Sequence, residues 1–249
     1  MFRPLDVATS LVASAARLGG GLSVAPLGKR PKQRLELYEF EACPYCRKVR
    51  EALSMLDLEA TIYPCPKGGP HFRKQVIERG GKAQFPFLID PNTRRELYES
   101  NDIVTYLFAE YGDGTVPLPL RLGPLTDLSS FAASAARPGF GGRYVAARQP
   151  KKPLELWSFE ASPFCRIARE RLCALELPYV LHNVAKGSPS RPKFVKRSGK
   201  MMVPYLVDPN TGAEMFESAD IVAYLDATYA LPASSAAPAS GAAADRMSA

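Results

Sequence analysis

The chain repeats itself. LELYEFEACPYCRKVREAL begins at Leu35 and LELWSFEASPFCRIARERL at Leu154, an offset of 154 − 35 = 119 residues. FPFLIDPNTRRELYESNDIVTYL from Phe85 returns as VPYLVDPNTGAEMFESADIVAYL from Val203, an offset of 203 − 85 = 118, so one residue is lost between the matching blocks. A match of this length at nearly constant offset is one folded unit written twice. Its period is far above the roughly 20–50 residues of stacked solenoid repeats. Each copy is therefore expected to close its own core. A chain of 249 residues with 46% hydrophobic content can supply two cores of ordinary size.

The repeat reaches upstream, because PLDVATSLVASAARLGGG from Pro4 is echoed by PLTDLSSFAASAARPGFG from Pro124. Apolar residues at helical spacing (Val7, Leu11, Leu18; Leu125, Leu128, Phe131) followed by glycine predict a short amphipathic helix with a stop. Residues 1–34 contain Arg and Ser and few acids, and alone would pass for an organelle transit peptide. The internal counterpart at 124–142 points instead to a structural helix packed on each unit. The segment from Ala233 is rich in Ala, Ser, Pro and Gly and is expected to be a disordered tail.

Within each unit the element order is legible. LELYEF alternates as a strand does, and Pro44 to Leu56 puts Val49, Leu53 and Leu56 on one face of a helix that opens with Pro. ATIYPC predicts a second strand, and residues 70–79 a weaker helix. FPFLID and ELYE flank DPNTRR as a hairpin, since Asp, Pro and Asn set turn geometry. Ser100 is expected to cap a helix with Ile103, Val104 and Leu107 inward. The order βαβαββα describes a small mixed α/β sheet covered by helices, and it recurs from Leu154 to Tyr229.

The balance of 32 Lys+Arg against 25 Asp+Glu gives +7, but the charge is spread without a basic stripe interleaved with aromatics, which argues against nucleic acid as a partner. No apolar run approaches the roughly 20 residues that span a bilayer, so no membrane partner is expected. Five cysteines at irregular spacing do not form the even framework of a small secreted scaffold. A reducing compartment fits, cytoplasmic or, as the alternative, a plastid stroma.

Cys43 sits where strand runs into helix. Unpaired N–H groups and the helix dipole there favour a thiolate, which is the attacking species in disulfide exchange, and the site should be partly exposed. Cys46 lies almost one turn further in, close enough to resolve a mixed disulfide. Glu39 and Glu41 work against ionisation of the thiol, and Arg47 is placed to offset them. A zinc site from Cys43, Cys46, Cys65 and His71 is the alternative for a C-x2-C pair, less apt in a strand-to-helix switch. In the second unit Ser162 replaces the nucleophile and leaves Cys165 alone. Cys65 and Cys173 read as core or strand-end cysteines, and His71 and His182 carry no assigned role.

The CPYC at a helix start, the Pro opening the third strand and the ES pair before the last helix together resemble glutaredoxins and the amino-terminal domain of glutathione S-transferases, both thioredoxin-like folds. The resemblance covers about residues 35–111 and 154–229. It implies two tandem thioredoxin-like domains with an extra N-terminal helix each, 1–113 with the CPYC motif and 121–232 with the SPFC motif, before the tail at 233–249. It implies glutathione as the cofactor and thiol or disulfide substrates as partners, with Cys43 and Cys46 catalytic and Ser162 and Cys165 as a second site that is either glutathione-binding or dead. A cis Pro, the residue before it and the ES helix start would hold glutathione: Phe85, Pro86, Glu99 and Ser100 beside Tyr45, and Val203, Pro204, Glu217 and Ser218 beside Phe164. The family also admits an iron–sulfur cluster bridging two chains through Cys43 and glutathione. The implied activity is a glutathione-dependent thiol–disulfide oxidoreductase. A non-catalytic glutathione-binding scaffold and a conjugating transferase are the alternatives, the latter weakened because 112–153 is too short for a transferase's helical second domain.

Overall fold

The computed structural model describes residues 4–17, 19–121, 126, 128–131, 137 and 139–232. The tail expected to be disordered lies outside them, as do Leu18 and Leu125. The first repeat runs α1 (Pro4–Ala16), β1 (Leu35–Glu39), α2 (Pro44–Met55), β2 (Ala60–Pro64), α3 (Phe72–Gly80), β3 (Phe87–Asp90), β4 (Arg95–Leu97) and α4 (Ser100–Tyr111). A short helix α5 (Leu118–Arg121) and helical residues 126 and 128–131 lead on. The second repeat runs β5 (Leu154–Ser158), α6 (Pro163–Ala174), β6 (Tyr179–Asn183), α7 (Arg191–Ser198), β7 (Tyr205–Asp208), β8 (Ala213–Phe216) and α8 (Ser218–Tyr229). Both are thioredoxin-like in the order expected.

Each repeat pairs its first two strands in parallel and adds the hairpin antiparallel to the first. The repeats then join edge to edge: β2 runs antiparallel to β6, with Thr61 opposite Val180, giving one eight-stranded sheet ordered β4-β3-β1-β2-β6-β5-β7-β8. This pairing satisfies the backbone of two strands that would otherwise be open edges. The expectation that each copy closes its own core is thereby corrected. Leu35, Leu53 and Ile103 belong to the same buried cluster as Leu154, Leu172 and Ile221, because α6 packs against β2 across the junction. On the opposite face two smaller clusters stay separate, one around Tyr38, Phe72 and Phe87 and one around Trp157, Phe194 and Tyr205. With sheet and main core continuous, the full chain is expected to unfold in a single cooperative transition, with far-ultraviolet and near-ultraviolet signals coincident.

The DPN turns do more than reverse the chain. Asp90 accepts from the hydroxyls of Tyr106 (2.6 Å) and Tyr111 (2.5 Å) and from the backbone of Asn92 (2.8 Å), while Asp208 is held alike by Tyr224, Tyr229 and Asn210. Burial raises the pKa of Asp90, but these donors outweigh it and hold the carboxyl below its ordinary value.

The arms before each repeat are exchanged. The Ser10 hydroxyl donates to Pro163 O (2.9 Å) and Arg166 Nη1 to Ser10 O (2.7 Å), so α1 lies on the SPFC helix of the other repeat. Reciprocally, the Ser130 hydroxyl donates to Pro44 O (2.6 Å) on the CPYC helix. The downstream linkers cross as well: Val24 N donates to Lys186 O (2.9 Å), and Tyr144 N to Lys67 O (3.0 Å). Gly21 and Gly141 make the crossing possible. At φ +78 and +65 they adopt the left-handed region, and a Cβ there would stand 2.9 Å from Glu160 Cβ and 2.8 Å from Glu41 Cβ. The amphipathic reading of the arms is overturned. Leu11, Leu128 and Phe131 are 51%, 67% and 46% exposed, whereas Ser10, Ala13 and Ser130 are buried. Small residues let the helices approach closely, and the apolar face is left outward.

Candidate functional site

Cys43 follows β1 and takes the N-cap position of α2 at φ −72, ψ 121, with Pro44 the first helical residue. Its sulfur accepts the Cys46 N–H at 3.3 Å. Burial pushes the Cys43 thiol up, but bonds from the Cys46 side chain and backbone and from the Tyr45 N–H outweigh it, and the net shift is downward. Cys46 is pushed well up, by burial and then by its bond to Cys43. The sign for stability follows: the thiolate's contribution is complete above a free thiol's pKa of about 8.5 and is lost as pH falls through the lower folded value. Thiolate absorbance is therefore expected to persist at a pH where a free thiol is protonated, and to vanish there in Cys43→Ser.

The expected partial exposure of Cys43 is not found: it is 3% exposed, in a motif on which the arm of the other repeat lies. Tyr45 meets Phe131 of that arm edge to face at 5.5 Å.

Both Phe85-Pro86 and Val203-Pro204 are cis. Ser100 does not cap its helix. Glu99 occupies the N-cap at φ 61, outside the range most side chains adopt, and Glu217 repeats this at φ 62. The structure brings Tyr45, Phe85, Pro86, Glu99 and Ser100 together around one cleft of about 280 Å³, with Gln84 on its wall. Gln84 donates to the Glu99 carboxylate, a residue that sequence reasoning missed because the second repeat carries Met202 there and no pattern marks it.

The second motif superposes in conformation. Ser162 has the same φ −72 and ψ 121, and its hydroxyl accepts the Cys165 N–H at 3.3 Å. Phe164 is exposed as Tyr45 is, and Val203-Pro204 and Glu217-Ser218 repeat the backbone of the first site. Ser162→Cys is expected to gain one disulfide with Cys165 on mild oxidation, read by thiol counting against the parent chain.

Behind the two motifs lies a buried ionic cluster. Arg50 pairs with Glu39, with Glu41 (3.3 Å) and with Glu160 (3.1 Å), and Arg169 pairs with Glu41 (3.2 Å) and Glu160 (2.8 Å). Arg50 and Arg169 make ion pairs with the two glutamates flagged in sequence, and Arg47, also buried, interacts through its charge with Glu160 and Glu41. Arg17 pairs with Glu51 and Arg137 with Glu170, both at 2.6 Å, tying each exchanged arm back to its own repeat. Burial raises the Glu39 pKa to about 7 against the pull of Arg50, with Glu41 and Glu160 adding to the rise. Glu160 is also pushed up by burial, but Arg169 and Arg50 outweigh this and hold it at about 2. Glu39 thus favours its protonated form in the fold. Its contribution to stability is full below its ordinary pKa of about 4.5 and is lost as pH rises through about 7. Glu39→Gln is expected to remove that slope from denaturation midpoints measured across the interval.

Cys65 and Cys173 are buried, and burial pushes both thiols well up. His71 Nε2 stands 4.0 Å from Glu176 Oε2. Among the described residues no three His, Cys, Asp or Glu side chains are placed to share a metal ion, and no helix is long and apolar enough to cross a membrane.

The pattern of the family "Glutathione S-transferase, N-terminal domain" matches residues 37–115 and again 156–233. Solved structures similar to the chain include TDR1 of Leishmania, a unique trimeric glutathione transferase, at 16% identity over 80% of this chain and 68% of that chain, with a TM-score of 0.27. No curated protein gives a significant match.

Proposed function

The chain belongs to the glutathione S-transferase N-terminal domain family in both of its repeats, and from that premise we propose that it is a glutathione-dependent thiol–disulfide oxidoreductase whose first repeat reacts. The observation that carries this reading is the cleft bounded by Tyr45, Phe85, Pro86, Glu99 and Ser100, which shares Tyr45 with the motif of the low-pKa thiol Cys43.

The Cys43 thiolate attacks the glutathione sulfur of a mixed disulfide. A Cys43–glutathione bond forms, and the substrate leaves as a thiolate that takes a proton. Cys46 then gives up its proton and attacks the Cys43 sulfur, forming the Cys43–Cys46 disulfide and releasing glutathione thiolate. Two further glutathione molecules reduce that disulfide in successive exchanges and leave as one glutathione disulfide, restoring both thiols. Donors at the α2 N-terminus stabilise Cys43 whenever it is a thiolate, before the first attack and after the disulfide is reduced. The second repeat offers the same backbone without a nucleophile, since Ser162 is un-ionised near neutral pH, and it binds glutathione without exchanging it. The chemistry requires a reducing compartment.

One observation favours a second reading, a glutathione-binding protein without turnover: the burial of Cys43 in a motif on which Ser130 sits. Reduction of a glutathionylated peptide by the full chain, coupled to glutathione recycling, separates the two. Turnover is expected. Glutathione binding without turnover would leave the binding reading.

A further inference from the structure

The repeats differ on the sheet face away from the cysteine helices, where each has its own small cluster. Arg73 Nε donates to Cys65 O (3.2 Å) and Pro66 O (3.0 Å), and Arg191 Nε to Val184 O (3.1 Å) and Ala185 O (2.9 Å), so the two arginines are structural equivalents and the residues before them, Phe72 and Ser190, correspond. In the first repeat the Phe72 ring covers Tyr63 at 5.2 Å. In the second, a serine stands in that place, and a cleft of about 760 Å³ opens beside His182, the equivalent of Tyr63.

The walls of this cleft differ in chemistry. Trp157, Val184 and Phe194 supply an apolar floor. The helix wall is basic, with Lys193 and Lys196 where the first repeat has Gln75 and Glu78, while Arg197 lies over the Trp157 ring at 5.2 Å and pairs with Glu214 (2.8 Å). The strand wall is acidic: Glu59 from the first repeat and Glu155 from the second hold His182 between them, at 2.7 Å on Nδ1 and 3.2 Å on Nε2. His182 is also stacked on Trp157 at 4.2 Å and 16°, which fixes the ring in the wall. A carboxylate has lone pairs beyond the one that His182 engages, so the strand wall accepts further hydrogen bonds. A volume in this range suits a small organic ligand.

We propose that the cleft between α7 and the β5–β6 strands, floored by Trp157 and opened by Ser190, binds a nucleoside phosphate. Its anionic group faces Lys193 and Lys196, its ring lies over the apolar floor, and its amino or hydroxyl donors face Glu59 and Glu155. A nucleoside phosphate combines an anion, a flat ring and hydrogen-bond donors in one frame, and its size suits a cleft of about 760 Å³. The two lysines on one wall recognise the anion, and half-exposed carboxylates reject a ligand with anionic groups at both ends. The site is independent of the cysteine chemistry.

Trp157 is the sole tryptophan of the chain, so indole emission reports this cleft alone. Titration of the full chain with adenosine monophosphate is expected to change that emission saturably, and adenosine and inorganic phosphate, tested separately, to bind at least about tenfold more weakly. Ser190→Phe, which restores the residue of the first repeat, is expected to abolish the response. The Lys193→Ala, Lys196→Ala double variant lies on an exposed helix face and is expected to weaken binding by at least about tenfold, keeping the test intact if the phenylalanine variant does not fold. No saturable change at millimolar adenosine monophosphate, or full affinity in either variant, would overturn the proposal.

Discussion

Replacing Arg50 by alanine is expected to destabilise the full chain by about 3–5 kcal/mol, the cost typical of removing one partner from a buried ion pair. Arg50 is 1% exposed and contacts carboxylates of both repeats, so its loss removes the ion pair of Glu39 and leaves Glu41 and Glu160 buried with Arg169. Denaturant unfolding of the full chain measures the effect. Because these contacts bind one repeat to the other, the loss is expected in a single transition. A separate early transition of one repeat, with the other unaffected, would show that the cluster does not couple them. Arg50→Lys is expected to recover only part of the loss, since an ammonium cannot reach several carboxylates with the fixed fork of a guanidinium.

Cys43→Ser is expected to reduce turnover of glutathionylated peptide to background, because a hydroxyl neither ionises near neutral pH nor forms a disulfide. Cys46→Ser is expected to keep the first attack and accumulate protein carrying one glutathione, visible as an intact-mass adduct that reducing agent removes. Full turnover in Cys43→Ser would remove that residue from the chemistry. Adduct on Cys43→Ser but not on Cys46→Ser would reverse the two roles. The two motifs also differ at a second position: Glu39 and Cys43 of the first become Ser158 and Ser162 in the second, whereas Glu41, Cys46 and Arg50 keep their counterparts Glu160, Cys165 and Arg169. Glu39, whose pKa burial raises, thus has no carboxylate counterpart in the second repeat.

Local signals carried a large part of the molecule. Alternation in LELYEF, the Pro that opens α2 and the DPN turn each depend on neighbours within a few residues, and the elements appear close to the expected positions. The cleft residues Phe85, Pro86, Glu99 and Ser100 were legible only through the resemblance, and it is the fold that brings them around one opening. Gln84 and the arm residues Ser130 and Phe131 were not, because nothing local connects them to Tyr45 or Pro44.

The repeat, the strand-to-helix cysteine pair and the serine that replaces its first cysteine in the second copy were determined by sequence, because each is a property of one segment and its immediate hydrogen bonds. Tertiary structure alone decided how the copies combine. Periodicity assigned the arms an apolar inward face, yet helix–helix approach selected the small face with Ser10, Ala13 and Ser130 and turned Leu11 and Phe131 outward. Glu39 and Glu41 read as acids beside a thiol with Arg47 placed to offset them. Arg169, which pairs with Glu41, lies 128 residues away and is brought to it where the two repeats join edge to edge. A long-range ion pair leaves no periodic trace in a sequence, since its energy depends on burial and distance that only the folded chain sets.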